Sequence, residues 1–456
     1  MTRPNLLLIM TDQQRHDALG CAGDWCETPH LDSLVSDGGV RFANCITTSP
    51  VCVPARRTMA TGHYPHLTGI WDNGASSMAA DTPTWMAAIR DAGYRTSLIG
   101  KTHFTPHHGD LRANEPLLRS FGLDDIWETP GPRACARTYS HMTEEWHAAG
   151  HWDAYAADYR ERFANVPWVV RPSTLPLELY YDTWVGRRAA RYLRDYDRDE
   201  PWCCWVSFGG PHEPWDTPEP YASRYDRETM PAALPRFTDA APERPRGRLD
   251  RMPPNPAISP ADVAAMRADY AGNVALIDDQ VGQLIATIKA RGDWDNTVVI
   301  LCSDHGELNG DHGLIYKSTF LDSALRVPLL VSTPATRAAG QAATSQALVE
   351  WFDVGATLAD YAGATLHRQF ARSLAPAVAD PSAAHRDYAI SQLAHETMIL
   401  THDWKLALNA AGAPYLLFDR HADPDEQRNL AGSPEHRDTE QALRERIMTH
   451  IYTTQL

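Results

Sequence analysis

Residues 49–62 of the chain read Ser49-Pro50-Val51-Cys52-Val53-Pro54-Ala55-Arg56-Arg57-Thr58-Met59-Ala60-Thr61-Gly62. Pro54 suits the first turn of a helix, where its missing N–H costs nothing, and Gly62 suits the position after the last turn. Cys52 would then lie at the N-terminal end of this helix, where free backbone N–H groups and the helix dipole favour an anion. Arg56 follows one turn later and would direct a permanently charged guanidinium at the same place. The segment therefore predicts an anion site built around a cysteine sulfur.

The composition restricts the class of protein. At 456 residues the chain can form one large core or two domains. Its 42 basic and 58 acidic residues give a net charge of −16, which argues against a protein that coats nucleic acid or binds a membrane surface. The apolar run 6–10 is too short for the core of a signal peptide, and no stretch approaches the roughly 20 apolar residues of a membrane helix. We therefore expect a cytoplasmic protein whose anion site is local.

The cysteines are scattered, and none of them forms a C-x-x-C pair that would indicate a zinc site. We expect every cysteine except Cys52 to be reduced and structural. The eight cysteines are Cys21, Cys26, Cys45, Cys52, Cys135, Cys203, Cys204 and Cys302.

Short apolar runs alternate with helical patterns along most of the chain, which indicates an α/β fold with a largely parallel sheet. Two predicted helices start at Pro29 and at Pro83. Three more are predicted over residues 180–196, 260–291 and 347–362. The predicted strands are 5–10, 40–43, 94–99, 202–208, 297–302 and 327–332.

Two of these strands end in groups that could bind a cation. Strand 5–10 is followed by Asp12 and Gln13, and strand 297–302 is followed by Asp304 and His305. Ligands collect beyond the carboxyl ends of strands in open α/β sheets, so these side chains are placed to bind something. A single acidic residue after a strand is more often only a turn residue.

Other loops carry candidate cations, acids and bases. Lys101 and His103 follow strand 94–99 and would share one face if the strand geometry continued. His212 lies between two prolines after strand 202–208, a rigid setting that suits proton transfer but also plain packing. Lys317 would return a cation to the same edge. Asn73 could donate its amide to a substrate oxygen, although an Asn-Gly pair is often only a turn.

Two regions of the chain lack the alternation of apolar runs and helical patterns. Residues 105–176 are irregular and rich in aromatic residues, and we expect long loops and short helices that select the substrate. Beyond about residue 380, short alternating strands (388–392, 398–401, 405–409 and 415–418) precede a polar helix. We therefore predict a catalytic domain over 1–375 and a small antiparallel subdomain over 376–456. Some aromatic side chains could contact a sugar, an aromatic ring or a quaternary ammonium, or could simply be core residues: Trp146, Trp152, Trp168 and Trp215.

Cys52-x-Pro54-x-Arg56 followed by Thr61-Gly62 resembles the signature of the sulfatase family, in the alkaline phosphatase superfamily. The run 423–430, Asp-Pro-Asp-Glu-Gln-Arg-Asn-Leu, also looks like the tail of many sulfatases. The resemblance covers nearly the whole chain. It implies an alkaline-phosphatase-like α/β/α sandwich with a large mixed, mostly parallel sheet and a small C-terminal antiparallel subdomain. The side chains that follow the family order are Asp12, Cys52, Lys101, His103, His212, Asp304, His305 and Lys317.

The resemblance implies a sulfuric ester hydrolase that cleaves a sulfate monoester. In the family, a maturation enzyme oxidises the cysteine at position 52 to Cα-formylglycine, whose hydrated aldehyde supplies the nucleophile. Arg56, Lys101 and Lys317 would hold the sulfuryl oxygens. His212, helped by Lys317, would protonate the departing alcohol. His103 would take the proton from the second hydroxyl, so that sulfate leaves without attack by water at sulfur.

The implied metal ligands are Asp12, Gln13, Asp304 and His305. A protein thiolate matches a hard, oxygen-preferring cation poorly, so an oxygen nucleophile at position 52 fits this site better than sulfur. The familiar arylsulfatase site has a pair of aspartates where this chain has Asp12-Gln13, and an Asp-Asn pair where it has Asp304-His305. The replacement looks like the choline sulfatase and phosphonate monoester hydrolase branches. Calcium remains the expected metal, with manganese as the alternative because imidazole suits a borderline metal.

Two other functions stay open at this point. One is a phosphonate monoester or phosphodiester hydrolase with the same nucleophile, although Lys101 with His103 favours a sulfatase. The other is a metal- and anion-binding protein without catalysis, in which Cys52 stays unconverted. The expected partners are a small-molecule sulfate ester and a formylglycine-generating maturation enzyme, with Asn73 as the substrate-binding residue.

Overall fold

The computed structural model describes residues 3–74, 76–165, 168–237, 241–251 and 258–455. Short 3-10 helices cover Leu111–Asn114, Pro132–Arg137, Leu177–Leu179, Arg227–Thr229, Trp294–Asn296, Asp311–Gly313 and Pro434–His436. The strands are β1 (Asn5–Thr11), β2 (Val40–Ile46), β3 (Arg95–Gly100), β4 (Gly109–Asp110), β5 (Asp125–Glu128), β6 (Thr138–Tyr139), β7 (Trp202–Ser207), β8 (Thr297–Ser303), β9 (Leu329–Ser332), β10 (Ala343–Glu350), β11 (Ala389–Leu393), β12 (Glu396–Leu400), β13 (Trp404–Leu408) and β14 (Pro414–Asp419).

The α-helices vary from single turns to the 31-residue α10. They are α1 (Pro29–Ser36), α2 (Cys52–Thr61), α3 (Pro65–Thr68), α4 (Trp85–Asp91), α5 (Glu115–Ser120), α6 (His141–Ala148), α7 (Trp152–Asn165), α8 (Tyr181–Arg194), α9 (Glu243–Arg251), α10 (Pro260–Ala290), α11 (Asp322–Leu325), α12 (Pro334–Ala339), α13 (Asp353–Ala362), α14 (Ala375–Ala379) and α15 (Arg437–Thr453). Among the described residues, no helix combines the length and apolar character that crossing a membrane requires.

The main sheet has the strand order β10-β2-β9-β8-β1-β7-β3-β5 within the described ranges. Strand β9 runs antiparallel to both β2 and β8, and the other neighbouring pairs are parallel. The predicted large, mixed, mostly parallel sheet is therefore confirmed. The carboxyl ends of β1, β3, β7 and β8 lie side by side at one edge, which brings their following loops together.

Helices cover both faces of this sheet. In β1, Leu6 and Leu8 join the apolar core on the face covered by α2, α4 and α13. Leu7 and Ile9 join the core on the opposite face, which is covered by α1, α8 and α10. Because both faces of the strand are buried, its sequence is continuously apolar rather than alternating.

The C-terminal strands β11 to β14 form an antiparallel sheet in chain order, as predicted. Buried Lys405 of β13 joins this sheet to the segment after Lys317: its Nζ donates to the carbonyl of Phe320 at 3.0 Å and contacts the carboxylates of Asp322 and Glu426. Lys405 thus fixes the segment that follows Lys317 to the small sheet. The division at residue 375 stays a prediction.

Two predicted helices begin in the wrong place. Residues 347–350 belong to β10, and the helix over 353–362 follows after a turn. A short apolar run next to a helix has no period of its own, and here it pairs in parallel with β2. The helix predicted from Pro83 begins at Trp85, because Thr84 is its N-cap and accepts the N–H of Ala87 at 3.1 Å. In the segment predicted as loops and short helices, α7 has 14 residues.

Candidate active site

Helix α2 places Cys52 at its first position, as the sequence predicts. Pro54 lies in the first turn. Gly62 ends the helix in the left-handed region, with φ 67°, and donates its N–H to the carbonyl of Thr58 at 2.7 Å. Every residue of α2 is buried, so Cys52 and Arg56 are held on a helix that cannot move without disrupting the core.

Cys52 meets the ends of β1 and β8 in a buried cluster. Ligand atoms of Asp12, Cys52, Asp304 and His305 all lie within 4.8 Å of one another. Cys52 Sγ lies 3.0 Å from His305 Nε2 and 3.9 Å from an oxygen of Asp12. Three of the four predicted metal ligands are therefore brought together with the predicted nucleophile.

The donor set fits a divalent cation. The ring of His305 places Nδ1 3.0 Å from the carbonyl of Gly306, and an N–H donated there leaves the Nε2 lone pair facing the cluster. Burial opposes charge on Asp12 and Asp304, but nearby cations outweigh it and keep the pKa of both carboxyls below the usual range. The two ionised carboxylates suit either calcium or manganese, and the imidazole suits manganese better than calcium.

Arg56 lies beneath this cluster rather than in a cavity wall. Its Nε donates to Asp304 Oδ2 at 2.7 Å, and its Nη2 lies 3.3 Å from Asp12 Oδ2. Its Nη1 donates to the carbonyl of Lys101 at 2.7 Å and to Ser207 Oγ at 3.0 Å. This fully buried guanidinium fixes both carboxylates and the turn after β3 at once.

The strand geometry of β3 does not continue through Lys101 and His103. The strand ends at Gly100, where φ is 119° and a Cβ would lie 1.8 Å from the carbonyl oxygen of Ser207. His103 itself has φ 63°. Both side chains nevertheless line one cavity, and Lys101 Nζ also contacts Asp12 Oδ2.

His103 is a half-buried, uncharged imidazole. Burial, reinforced by the charge of Lys101 and by neighbouring His107, holds its pKa well below the usual range. Its ring centroid lies 4.2 Å from that of His107, and its Nδ1 has no hydrogen-bond partner among the described residues. A neutral imidazole with a free nitrogen can accept a proton at the cavity.

His212 and Lys317 form a second proton-handling pair. His212 Nδ1 lies 2.7 Å from the carbonyl of Glu213, and its Nε2 lies 2.7 Å from Lys317 Nζ. Burial opposes charge on Lys317, but the negative charges of Cys52 and Glu213 outweigh it and raise its pKa. The ammonium can therefore donate to His212 Nε2.

Gln13, the fourth predicted metal ligand, has its side chain engaged elsewhere. Its Nε2 donates to Glu213 Oε2 at 2.7 Å and contacts Glu307, and its Oε1 accepts from Lys317. The backbone N–H of Gln13 donates to Asp304 Oδ1 at 3.1 Å. In this arrangement Gln13 links Lys317 to the cluster, and its role as a metal ligand stays a prediction.

A cavity of about 210 Å³ opens onto Cys52. Asn73 lines it, and its Oδ1 accepts the N–H of Val53 at 2.9 Å, so its amide nitrogen is the group left for another partner. The four tryptophans considered above are not among the lining residues; Trp146, Trp168 and Trp215 are core residues.

Sequence reasoning missed four basic lining residues. One of them lies on α2, where its four-residue spacing from Val53 could have indicated that it shares the same face of the helix. The other three lie in a loop and in the 3-10 helix 132–137, which only the tertiary fold brings to the site. The four are Arg57, His107, Arg133 and Arg137.

Comparisons with known proteins agree with this geometry. The sulfatase family model matches residues 4–364, and the model named N-sulphoglucosamine sulphohydrolase, C-terminal, matches residues 310–452. A choline-sulfatase of Rhizobium meliloti is 29% identical over 95% of this chain and 83% of its own. An arylsulfatase of Clostridium perfringens is 27% identical over 98% of this chain and 94% of its own. The crystal structure of a phosphonate monoester hydrolase of Agrobacterium radiobacter superposes with a TM-score of 0.83 at 25% identity, over 99% of this chain and 96% of that one.

The fold is that of the alkaline phosphatase superfamily, and its active-site edge carries a sulfatase signature. The chain belongs to the sulfatase family, because the family model matches well over half of its length. It is a sulfuric ester hydrolase, and membership implies a formylglycine and a divalent metal.

Proposed function

We propose that the site hydrolyses small sulfate monoesters with a nucleophile derived from Cys52. The observation that supports this most strongly is the meeting of Cys52 with Asp12, Asp304 and His305 inside 4.8 Å, at the floor of an open cavity. A nucleophile, a cation site and a substrate entrance coincide there.

Asp12, Asp304 and His305 would hold the metal, with calcium as the first expectation and manganese as the alternative. When bound, the ion neutralises the sulfuryl oxygens and makes a hydroxyl of residue 52 more acidic. Arg56 holds the two carboxylates in place through its contacts at 2.7 and 3.3 Å. Its role is to position these ligands from beneath.

Lys101, which lines the cavity, and Lys317, which lies beside His212, would bind the oxygens of the sulfuryl group. His212 would give a proton to the departing alcohol, since its Nε2 can take one from Lys317 at 2.7 Å. His103, neutral and with a free nitrogen, would accept a proton from residue 52 when sulfate leaves. Asn73 would donate its free amide to the substrate.

The second candidate function is that of a phosphonate monoester hydrolase. The TM-score of 0.83 to the structure of such an enzyme supports this alternative. Both esters are monoanions, so charge alone does not separate them. Lys101 and His103 in the loop after β3 support the sulfate ester.

The test uses protein expressed together with a formylglycine-generating maturation enzyme, which is the expected partner. Rates on 4-nitrophenyl sulfate and on the 4-nitrophenyl ester of phenylphosphonic acid are compared. Higher kcat/KM for the sulfate is expected, and the reverse order would favour the second candidate. Cys52→Ser should end sustained turnover because a serine ester cannot release sulfate by collapse to an aldehyde, whereas Cys21→Ala, at a half-buried free cysteine outside the site, should not.

A cytoplasmic location stays a prediction.

A further inference from the structure

The cavity beside Cys52 is strongly basic although the protein is strongly acidic. The chain has 58 acidic and 42 basic residues. Among the described residues, the cavity lining nevertheless contains no carboxylate side chain. The basic lining residues are Arg57, Lys101, His103, His107, Arg133, Arg137 and His212.

Helix α2 supplies two different faces to the two parts of the site. Cys52 and Arg56, four residues apart, face the metal cluster. Val53 and Arg57, with the same spacing and one position further on, face the cavity. Arg57 is thus held as rigidly as the nucleophile, on the side where the rest of a substrate would lie.

Arg57 is a buried cation to which the described part of the chain offers no counterion. Arg57 is only 3% exposed, and no described carboxylate lies within ion-pair distance of its guanidinium. Only its Nη2 has acceptors among the described residues, the carbonyls of Ser76 and Phe104, and its buried Nε has none. Burial lowers its pKa to about 10, which leaves it charged at neutral pH. A buried charge of this kind is costly unless an anion joins it.

The arginines of the 3-10 helix 132–137 face the same cavity with different partners. Arg133 pairs with Glu213, and its guanidinium lies 4.6 Å over the ring of Tyr316. Arg137 is exposed and donates to the carbonyl of Arg133 at 3.4 Å, with no described carboxylate in reach. Within the described ranges, Arg57 and Arg137 are therefore the two arginines of the wall that have no carboxylate partner.

The reacting sulfuryl group does not need these two charges. In the proposed function, on which this inference rests, that group carries one negative charge and is met by Lys101, Lys317 and the metal. We infer that Arg57 and Arg137 bind a second anionic group of the substrate, so the natural substrate is a compact sulfate ester that also carries a carboxylate or a further sulfate. A volume of about 210 Å³ limits it to roughly the size of one ring.

Three aryl sulfates that differ in one substituent test the inference. The probes carry a carboxylate, a carboxamide or a trimethylammonium group, each at the 3- or 4-position of phenyl sulfate. A charge-assisted hydrogen bond changes binding by about ten- to a hundredfold. For at least one position we expect kcat/KM to fall in the order carboxylate, carboxamide, trimethylammonium. Leaving-group ability runs in the opposite order, so it cannot produce this result.

The variants assign the preference to the two arginines. Arg57→Gln with Arg137→Gln should bring the carboxylate-to-carboxamide ratio close to one, and Arg137→Gln alone should lower it without a risk to folding, because the residue is exposed. Arg444→Gln, on the exposed side of α15, should leave the ratio unchanged. The mass of the peptide that contains residue 52 shows whether each variant is converted.

Binding of the phenol products gives a readout that does not depend on turnover. Calorimetry should find tighter binding of the hydroxybenzoate than of the matching hydroxybenzamide, and the double variant should abolish the difference. A ratio near one in the unaltered protein at both positions, or a ratio that the double variant keeps, overturns the inference while sulfate hydrolysis stands. No hydrolysis of any of the three esters by converted, metal-loaded protein overturns the proposed function and this inference with it.

Discussion

Replacing His212 by glutamine should slow esters of poor leaving groups far more than esters of good ones. His212 contacts the carbonyl of Glu213 and Lys317 Nζ, each at 2.7 Å. A glutamine Oε1 can still accept from Lys317, but it cannot pass a proton on to the alcohol. The substitution therefore keeps the local hydrogen bonding and removes proton transfer.

The size of the effect follows from general acid catalysis. A positioned acid contributes about 10²- to 10⁴-fold, which corresponds to about 3–5 kcal/mol of transition-state stabilisation. An alkyl sulfate must release an alkoxide, so the His212→Gln variant should lose this full factor in kcat/KM. A nitrophenolate is stable without a proton, and we expect a loss of about tenfold or less for 4-nitrophenyl sulfate.

Steady-state kinetics on both esters, with the unaltered protein and His212→Gln, measures the difference. His421→Gln, at an exposed histidine of the C-terminal subdomain, is the matched control and should change neither rate. Equal losses on the two esters would refute proton transfer by His212 and leave it a positioning residue.

Three further predictions concern stability and the metal. Lys405→Met leaves the carboxylates of Asp322 and Glu426 without their buried cation, so unfolding in urea should show a loss of about 3–5 kcal/mol, and a loss below about 1 kcal/mol would contradict the contact. Burial raises the pKa of Glu128 to about 8 from an ordinary 4.5, so its contribution to stability is full below pH 4.5 and is lost as the pH rises to 8. Denaturation at pH 5 and pH 8 should therefore show a fall of a few kcal/mol that is smaller in Glu128→Gln, and equal falls would contradict the raised pKa. A chelator should abolish turnover reversibly, and Asp304→Asn should raise the calcium concentration for half-maximal recovery at least about tenfold, which a metal titration measures.

The parts of the fold that could be predicted are those with a local sequence signal. Strands β1, β7 and β8 are buried on both faces and therefore read as continuous apolar runs. The start and end of α2 follow from Pro54 and Gly62. Strand β10 could not be separated from α13, because its apolar residues run into the helix and its partner β2 lies 300 residues earlier.

The same distinction applies to the site. Asp12, Asp304 and His305 follow strand ends, so the open-sheet rule brings them together. The left-handed backbone of His103 could not be predicted, because histidine gives no decisive local signal for a positive φ. The basic wall of the cavity is a tertiary property, because Arg57 of α2 and Arg137 of the 3-10 helix 132–137 line one cavity although they are far apart in the chain.

The mass of the tryptic peptide that contains residue 52 tests the central claim most directly. It should be measured on protein expressed with the maturation enzyme, in parallel with turnover of a sulfate ester by the same sample. The account predicts that one oxygen replaces the sulfur and two hydrogens of Cys52, and that turnover rises in proportion to the converted fraction. An unmodified thiol in a sample with full sulfate ester hydrolysis would contradict it.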